Sequence, residues 1–238
     1  MVQFTARSIA SALRAESNPV KAKILTGFFK TGVGAYGEGD VFWGITVPRQ
    51  RVIAKEFHEL PLTGIGDLLD SPVHECRLTA LLILVSQFEK AEDEKTRKQI
   101  FDFYRAHFSS VNNWDLVDLS APSIAGRYLL DRNAKILFRW AKSNHLWTRR
   151  IAIVSTYAFI KKNRFNETLK IVESLLSDSH DLLHKAVGWM LREVGKRDEK
   201  VLIGFLDSHA AVMPRTMLRY SIERLPERKR KAYLAKKG

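Results

Sequence analysis

The segment Trp114-Asp115-Leu116-Val117-Asp118 has the residue types and the spacing that could do chemistry. Trp114 and Asp118 stand four residues apart, so on a helix they project from one side, an aromatic plate one turn from a carboxylate, while Asp115 points elsewhere. A carboxylate on a surface that otherwise draws polyanions repels phosphate, so its presence needs a reason. Stabilising positive charge that develops on a sugar as a bond breaks is one such reason. A purely structural account competes with it: Asn112 or Asn113 caps the helix, Asp115 favours the positive end of its dipole, and Trp114 fills the core. That account explains Asp115 well and Asp118 poorly.

Further along, Trp147-Thr148-Arg149-Arg150 precedes an apolar helix, where an arginine either presents a planar donor fork to a phosphate or pairs with a surface carboxylate. Trp189, in Gly188-Trp189-Met190-Leu191-Arg192, is of a type that more often fills a core than a contact surface. Two other patterns lack the context their chemistry requires. Gly32-Val33-Gly34-Ala35-Tyr36-Gly37 matches a dinucleotide fingerprint but follows the helix-like Ala22-Lys23-Ile24-Leu25 rather than a strand. His180 and His184 have the spacing of a zinc helix, yet Asp181 replaces the usual glutamate, no third ligand is evident, and Ser179 and Asp181 read as first-turn capping residues.

The elements that must position these residues read as helices throughout. Apolar side chains recur at helical spacing in Leu78-Leu81-Leu82-Val85, Ile136-Leu137-Trp140 and Leu169-Val172-Leu175-Leu176, and no convincing strand alternation is present. Asn18-Pro19, Pro122 and Pro214 read as helix starts. A basic residue followed by a small-plus-apolar run returns at Arg77, Arg150 and Lys185, with separations of 73 and 35 residues. Halving the first gap places a unit near residue 113, beside Trp114, and one further step reaches Arg219. A period in the mid-thirties is that of a helical hairpin, and stacked hairpins form a curved solenoid whose inner helices line a common groove. Trp114, Asp118, Arg150, Lys185, Trp189, Arg192 and Arg219 are the candidates for that groove.

The chain is 238 residues long with 45% hydrophobic residues, enough for a sizeable core, and carries a formal net charge of +13. Residues 1–110 hold 14 basic and 13 acidic side chains and residues 111–238 hold 25 and 13, a balance of +1 against +12. Such asymmetry points to nucleic acid or an anionic membrane surface, or to no more than a basic surface. Cys76 is the only cysteine, which excludes an internal disulfide and a cysteine-built metal site and fits a reducing, cytoplasmic setting. Leu78 to Val85 is far too short to span a membrane, and the N-terminus shows no signal-peptide core. The expectation is an all-α chain forming one domain over 1–238: a helical cap over 1–70 that includes a glycine-rich loop at 31–48, then stacked repeats over 71–238. The 31–44 stretch reads equally as a DNA-contacting element or a connection, and the basic run from Arg228 to Lys237 as a solvated helix end.

With these residues assembled, the chain resembles the bacterial DNA alkylation-repair glycosylases of the AlkD type, which are built from HEAT-like helical repeats. Four blocks carry the resemblance: Gly44-Ile45-Thr46-Val47-Pro48-Arg49-Gln50-Arg51, Asn113 to Asp118, Trp147 to Ala152, and Lys185 to Glu193. The resemblance implies that Asp118 is the catalytic carboxylate, that Trp114 and Trp189 flank the lesion's sugar, and that Arg150 is the arginine of the catalytic site. Arg51 and Arg192 would contact the DNA backbone, and Arg77, Arg149, Lys185 and Arg219 complete the expected set of DNA contacts. It further implies removal of cationic 3-alkyladenine and 7-alkylguanine from duplex DNA without metal, cofactor or extrusion of the base into a pocket. No amine nucleophile is evident in the sequence, so a monofunctional glycosylase without strand cleavage is expected, acting as a monomer. Asn113 stands where some members carry a second aromatic, and Thr46 where some carry glutamine. The competing readings are a DNA- or RNA-binding module of the same architecture without catalysis, and a protein scaffold.

Overall fold

Helix starts follow from side chains that accept the N–H groups a first turn leaves unpaired. Thr5 accepts from Ser8, Asn18 from Lys21, Asp93 from Thr96, and Asp198 from Lys200 and Val201. The computed structural model describes residues 4–236, so Lys237, at the end of the basic run, lies outside the described residues. The chain divides into two units, residues 1–120 and 121–238. The first contains α1 (Ala6–Ala15), α2 (Pro19–Phe28), α3 (Val47–Glu56), α4 (Leu62–Leu69), α5 (His74–Lys90), α6 (Glu94–Ala106) and α7 (Trp114–Ser120). The second opens on a π-helical turn (Pro122–Gly126), followed by α8 (Arg127–Leu130), α9 (Lys135–Ala141), α10 (Leu146–Ser155), α11 (Tyr157–Ile160) and α12 (Asn166–Leu175). It ends with α13 (Asp181–Arg197), α14 (Glu199–His209), α15 (Arg215–Ile222) and α16 (Glu227–Ala235). Among the described residues there is no strand, only an isolated parallel bridge between Val41 and Val73.

The first unit is organised around α5, which is buried without interruption from His74 to Leu84 and packs against α3, α4, α6 and α7. A helix apolar on all sides must be surrounded, and the neighbouring helices do this. The glycine-rich segment between α2 and α3 is tied down at its far end. Glu75, itself buried in α5, accepts the backbone N–H groups of Trp43 (3.1 Å), Gly44 (2.7 Å) and Ile45 (3.2 Å). Gly44 has φ +83°, and a Cβ there would lie 2.2 Å from the Asn18 carbonyl oxygen and 2.6 Å from the Ala22 nitrogen. Only glycine lets the segment pass beneath the start of α2.

In the second unit α13 and α15 pack closely against each other. A Cβ on Gly188 would lie 2.4 Å from the Tyr220 Cβ and 2.6 Å from the Met217 carbonyl oxygen, so this glycine sets the spacing on which Trp189 is presented. The π-helical turn is packed in the same way, with Gly126 against the Ser155 carbonyl at the end of α10. His180 caps α13 by accepting the Leu182 N–H, and His184 donates through Nε2 to the Asp178 carbonyl, so both histidines of the zinc-like spacing serve the helix start.

The expected repeat has a clear register. Arg51, Asp118, Arg150, Lys185 and Arg219 are each the fifth residue of α3, α7, α10, α13 and α15. Arg77 is the fourth residue of α5 and points inward. No helix among the described residues is long and apolar enough to cross a membrane.

Glu75→Ala should strand three N–H groups, two of them buried, and lower the unfolding free energy by about 3 kcal/mol, read from urea denaturation. A loss within 0.5 kcal/mol, as an order of magnitude for surface changes, would show that the segment does not depend on this carboxylate.

Candidate functional site

α7 is seven residues long, and each side of it is accounted for. Leu116, Val117 and Ser120 are buried, and Ser120 Oγ lies 2.8 Å from the Tyr104 hydroxyl of α6. Trp114 and Asp118 share a side that remains partly exposed. Asp118 lies close enough to Tyr104 for its charge to act there: burial, and after it the Asp118 carboxylate, push the phenol well above its ordinary range, against a hydrogen bond with Ser120. The Trp114 ring is stacked on Phe29 at 5.3 Å and meets Phe28 edge-on at 6.0 Å. This indole is therefore neither core filling nor a lone surface residue. One part is fixed against the end of α2 and the rest is open.

The start of α7 is held by a chain of charged groups, most of them buried. Asp115 was expected only to favour the helix dipole. Its Oδ1 does accept the Leu116 N–H at 2.9 Å, but its Oδ2 takes the Nε2 proton of His74 at 2.8 Å. The Nδ1 of the same ring donates to Asp40 at 3.0 Å, and Asp40 also receives Arg77 at 2.5 Å and the Asn113 amide at 3.1 Å. Burial disfavours a charged imidazole, but the hydrogen bonds to Asp115 and Asp40 and the Asp115 charge outweigh it and push His74 up to about 9. For Asp40 too, burial opposes the charged form and is outweighed, by the His74 hydrogen bond, the Arg77 charge and Asn113, which hold the carboxyl below its usual range. Asn113 also accepts the Trp114 N–H at 2.8 Å, which explains an amide rather than an aromatic at this position.

The remaining expected residues separate into three groups. Arg77 is 4% exposed and spent on Asp40 and the Ser71 carbonyl, so it is removed from the DNA-contacting set: one position off the repeat register, its guanidinium faces the loop. Arg149 is likewise occupied, on Asp178 at 2.7 Å and on the carbonyls of Ser143 and Asn144. Arg192 is paired with Glu223 and mostly covered. Arg150 is 5% exposed and donates to the Leu182 carbonyl in the first turn of α13, so it is bound into the second unit rather than extended over its surface. Trp189, partly exposed, donates to Glu193 at 3.2 Å with its ring 6.0 Å from that of Tyr157. Lys185 is paired with Asp181 at 2.8 Å and partly exposed; Arg219 is exposed, and Arg51 is exposed beside a cleft lined also by Lys55, His58, Ser86 and Lys90.

An apolar cavity of about 170 Å³ in the first unit was not legible in the sequence. Ile24 and Leu25 of α2, Phe29, Phe42, Ile45 and Leu78 line it, with His74 and Asp115 at one side. It places the imidazole beside apolar walls, stacked 4.7 Å from Phe42 and 4.9 Å from Phe29. The signal that could have revealed this group is the adjacency of His74, Glu75 and Arg77, three ionisable residues at the head of the most apolar run in the chain. Such residues need partners from elsewhere.

A predicted DNA alkylation repair enzyme from Enterococcus faecalis superposes with a TM-score of 0.71 at 18% identity, covering 89% of this chain and 98% of that one. AlkD2 from Streptococcus mutans superposes with a TM-score of 0.56, also at 18% identity, covering 76% and 90%. Identities this low speak for the fold alone, which is the all-helical fold of these repair proteins. No match was found among curated proteins. Residues 9–225, nearly the whole chain and all the residues just described, match the family described as DNA alkylation repair enzyme, and the chain belongs to that family.

Proposed function

We propose that this protein is a monofunctional DNA glycosylase that hydrolyses the glycosidic bond of cationic alkylpurines, 3-alkyladenine and 7-alkylguanine, in duplex DNA. The observation that supports it most is the pairing on α7 of a partly exposed carboxylate, Asp118, with an indole, Trp114, whose ring is fixed by Phe29. A purine alkylated at N3 or N7 carries positive charge and leaves as a neutral base. The electrons of the glycosidic bond go with the base, and positive charge builds on the deoxyribose. Ionised Asp118 stabilises that charge and orients the water that adds to the sugar, while the indole face offers a further electron-rich surface. Water supplies the new C–O bond and gives up its proton, leaving an abasic site. No general acid is required, because the leaving group is already cationic.

Charge divides between the units in a way that suits this reading. Residues 1–120 hold 14 basic and 15 acidic side chains, whereas residues 121–238 hold 25 and 11, a balance of −1 against +14. The second unit supplies the polyanion affinity. Lys185 and Arg219 there, with Arg51 of the first unit, are the proposed phosphate contacts. Arg150 and Trp189 are proposed to act through the position their own packing fixes.

Release of 7-methylguanine from methylated duplex DNA tests the chemistry. Asp118→Asn keeps the shape and removes the charge, and should lower single-turnover release by about 100-fold or more while duplex affinity is kept. Equal release by both proteins would end the proposed role, and binding without release by the wild type would favour a non-catalytic module. Arg51→Ala and Arg219→Ala should each reduce the slope of log affinity against log salt by about one, uniformly across sequences. An unchanged slope would remove that residue from the interface.

A further inference from the structure

We infer that His74 is a positioning residue for the Trp114–Asp118 side of α7, acting as a double hydrogen-bond brace between the loop carboxylate Asp40 and the helix carboxylate Asp115. The activity arm of this inference rests on the glycosylase reading above.

The geometry leaves the ring little freedom. His74 opens α5, and its backbone N–H donates to Val41 at 2.9 Å while Val41 N–H donates to Pro72 at 3.0 Å, so the residue is stitched to the loop through its main chain as well. Its ring nitrogens span the two carboxylates at 3.0 and 2.8 Å, and its faces meet Phe42 and Phe29. Phe29 in turn stacks on Trp114. The same residue thus reaches α7 by two routes, through Asp115 to the backbone of Leu116 and through Phe29 to the indole. Asp118 lies one turn further on, so any rotation or slide of α7 moves its carboxylate. A seven-residue helix has little stability of its own, so its position is set by such contacts.

The charged form of the ring is what makes the brace work, because only an imidazolium donates from both nitrogens. The groups facing it are Asp40 from the loop, Asp115 from α7, Glu75 and Arg77 from α5, and Lys21 from α2 across the cavity. Glu75 is satisfied by backbone N–H groups, and Arg77 is bound to Asp40. Loss of the proton removes the imidazole's bond to one of the two carboxylates. With the folded value raised from 6.5 to about 9, the contribution is complete below the ordinary value and is lost as pH rises through about 9.

The test follows the His74 imidazole, the Trp114 indole N–H, assigned with Trp114→Phe, and the Asp118 amide by NMR across this range, alongside single-turnover release of 7-methylguanine. Both α7 signals should move with the midpoint of His74, near pH 9, and release should fall over the same interval. Asp115→Asn should lower that midpoint by about one unit or more. His74→Phe keeps a ring between Phe29 and Phe42 but donates nothing; its release should be about 10- to 100-fold slower, with duplex affinity within about threefold and no alkaline limb. Signals of α7 that stay fixed while His74 titrates overturn the assignment, as does a folded His74→Phe that releases base at the wild-type rate. If the wild type releases no base, the glycosylase reading fails, and the NMR titration alone decides the positioning role.

Discussion

A buried, charge-balanced chain of hydrogen bonds, Arg77–Asp40–His74–Asp115, is the interaction on which the first unit's site depends. Two cations and two anions alternate, so no charge is left uncompensated in a medium where an isolated one would be costly. The chain joins three pieces that share no local sequence: the glycine-rich loop, the head of α5 and the head of α7. Apolar packing alone would hold these pieces together without fixing their register. Directional donors and acceptors on planar groups do fix it, and Asn113 adds to this by bonding Asp40 and the Trp114 backbone at once.

Much of the architecture was legible because helical hairpins write their period into the sequence. The unit expected near residue 113 begins at Trp114, and the step expected at Arg219 falls within α15. Asn18-Pro19 starts α2 through the side-chain cap its residue types imply, and Pro214 directly precedes α15. The long loop runs from the end of α2 to Val47, as its glycines suggest. These features rest on local chemistry, spacing and caps, which a single sequence displays.

Contacts between residues far apart in the chain were not legible. Arg77 looked like the first member of a basic series because it precedes a small-plus-apolar run, but nothing local distinguishes a guanidinium that meets Asp40, 37 positions away, from one that meets phosphate. Arg149 and Arg150 present the same difficulty, since Asp178 and the Leu182 carbonyl belong to later elements. Asp115 and Asp118 are separated by three residues and share a chemistry, yet one is consumed by His74 and the other is directed to the partly exposed side of α7. The helical period divides them; it does not say which one the buried partner takes.

The placement of the proposed catalytic carboxylate depends on how α7 is secured. A carboxylate that must meet a developing cation gains from standing on a helix that other groups hold in place, because its position is then fixed before charge develops. On α7, Asp115, in the first turn, bonds the His74 ring and the Leu116 N–H, and Asp118, one turn later, shares the partly exposed side with Trp114. Leu116 and Val117 between them are fully buried and hold the helix axis, while Ser120, bonded to Tyr104, fixes its far end. A carboxylate supported in this way is preorganised for the charge proposed to develop in front of it, and such preorganisation is the physical source of electrostatic rate enhancement.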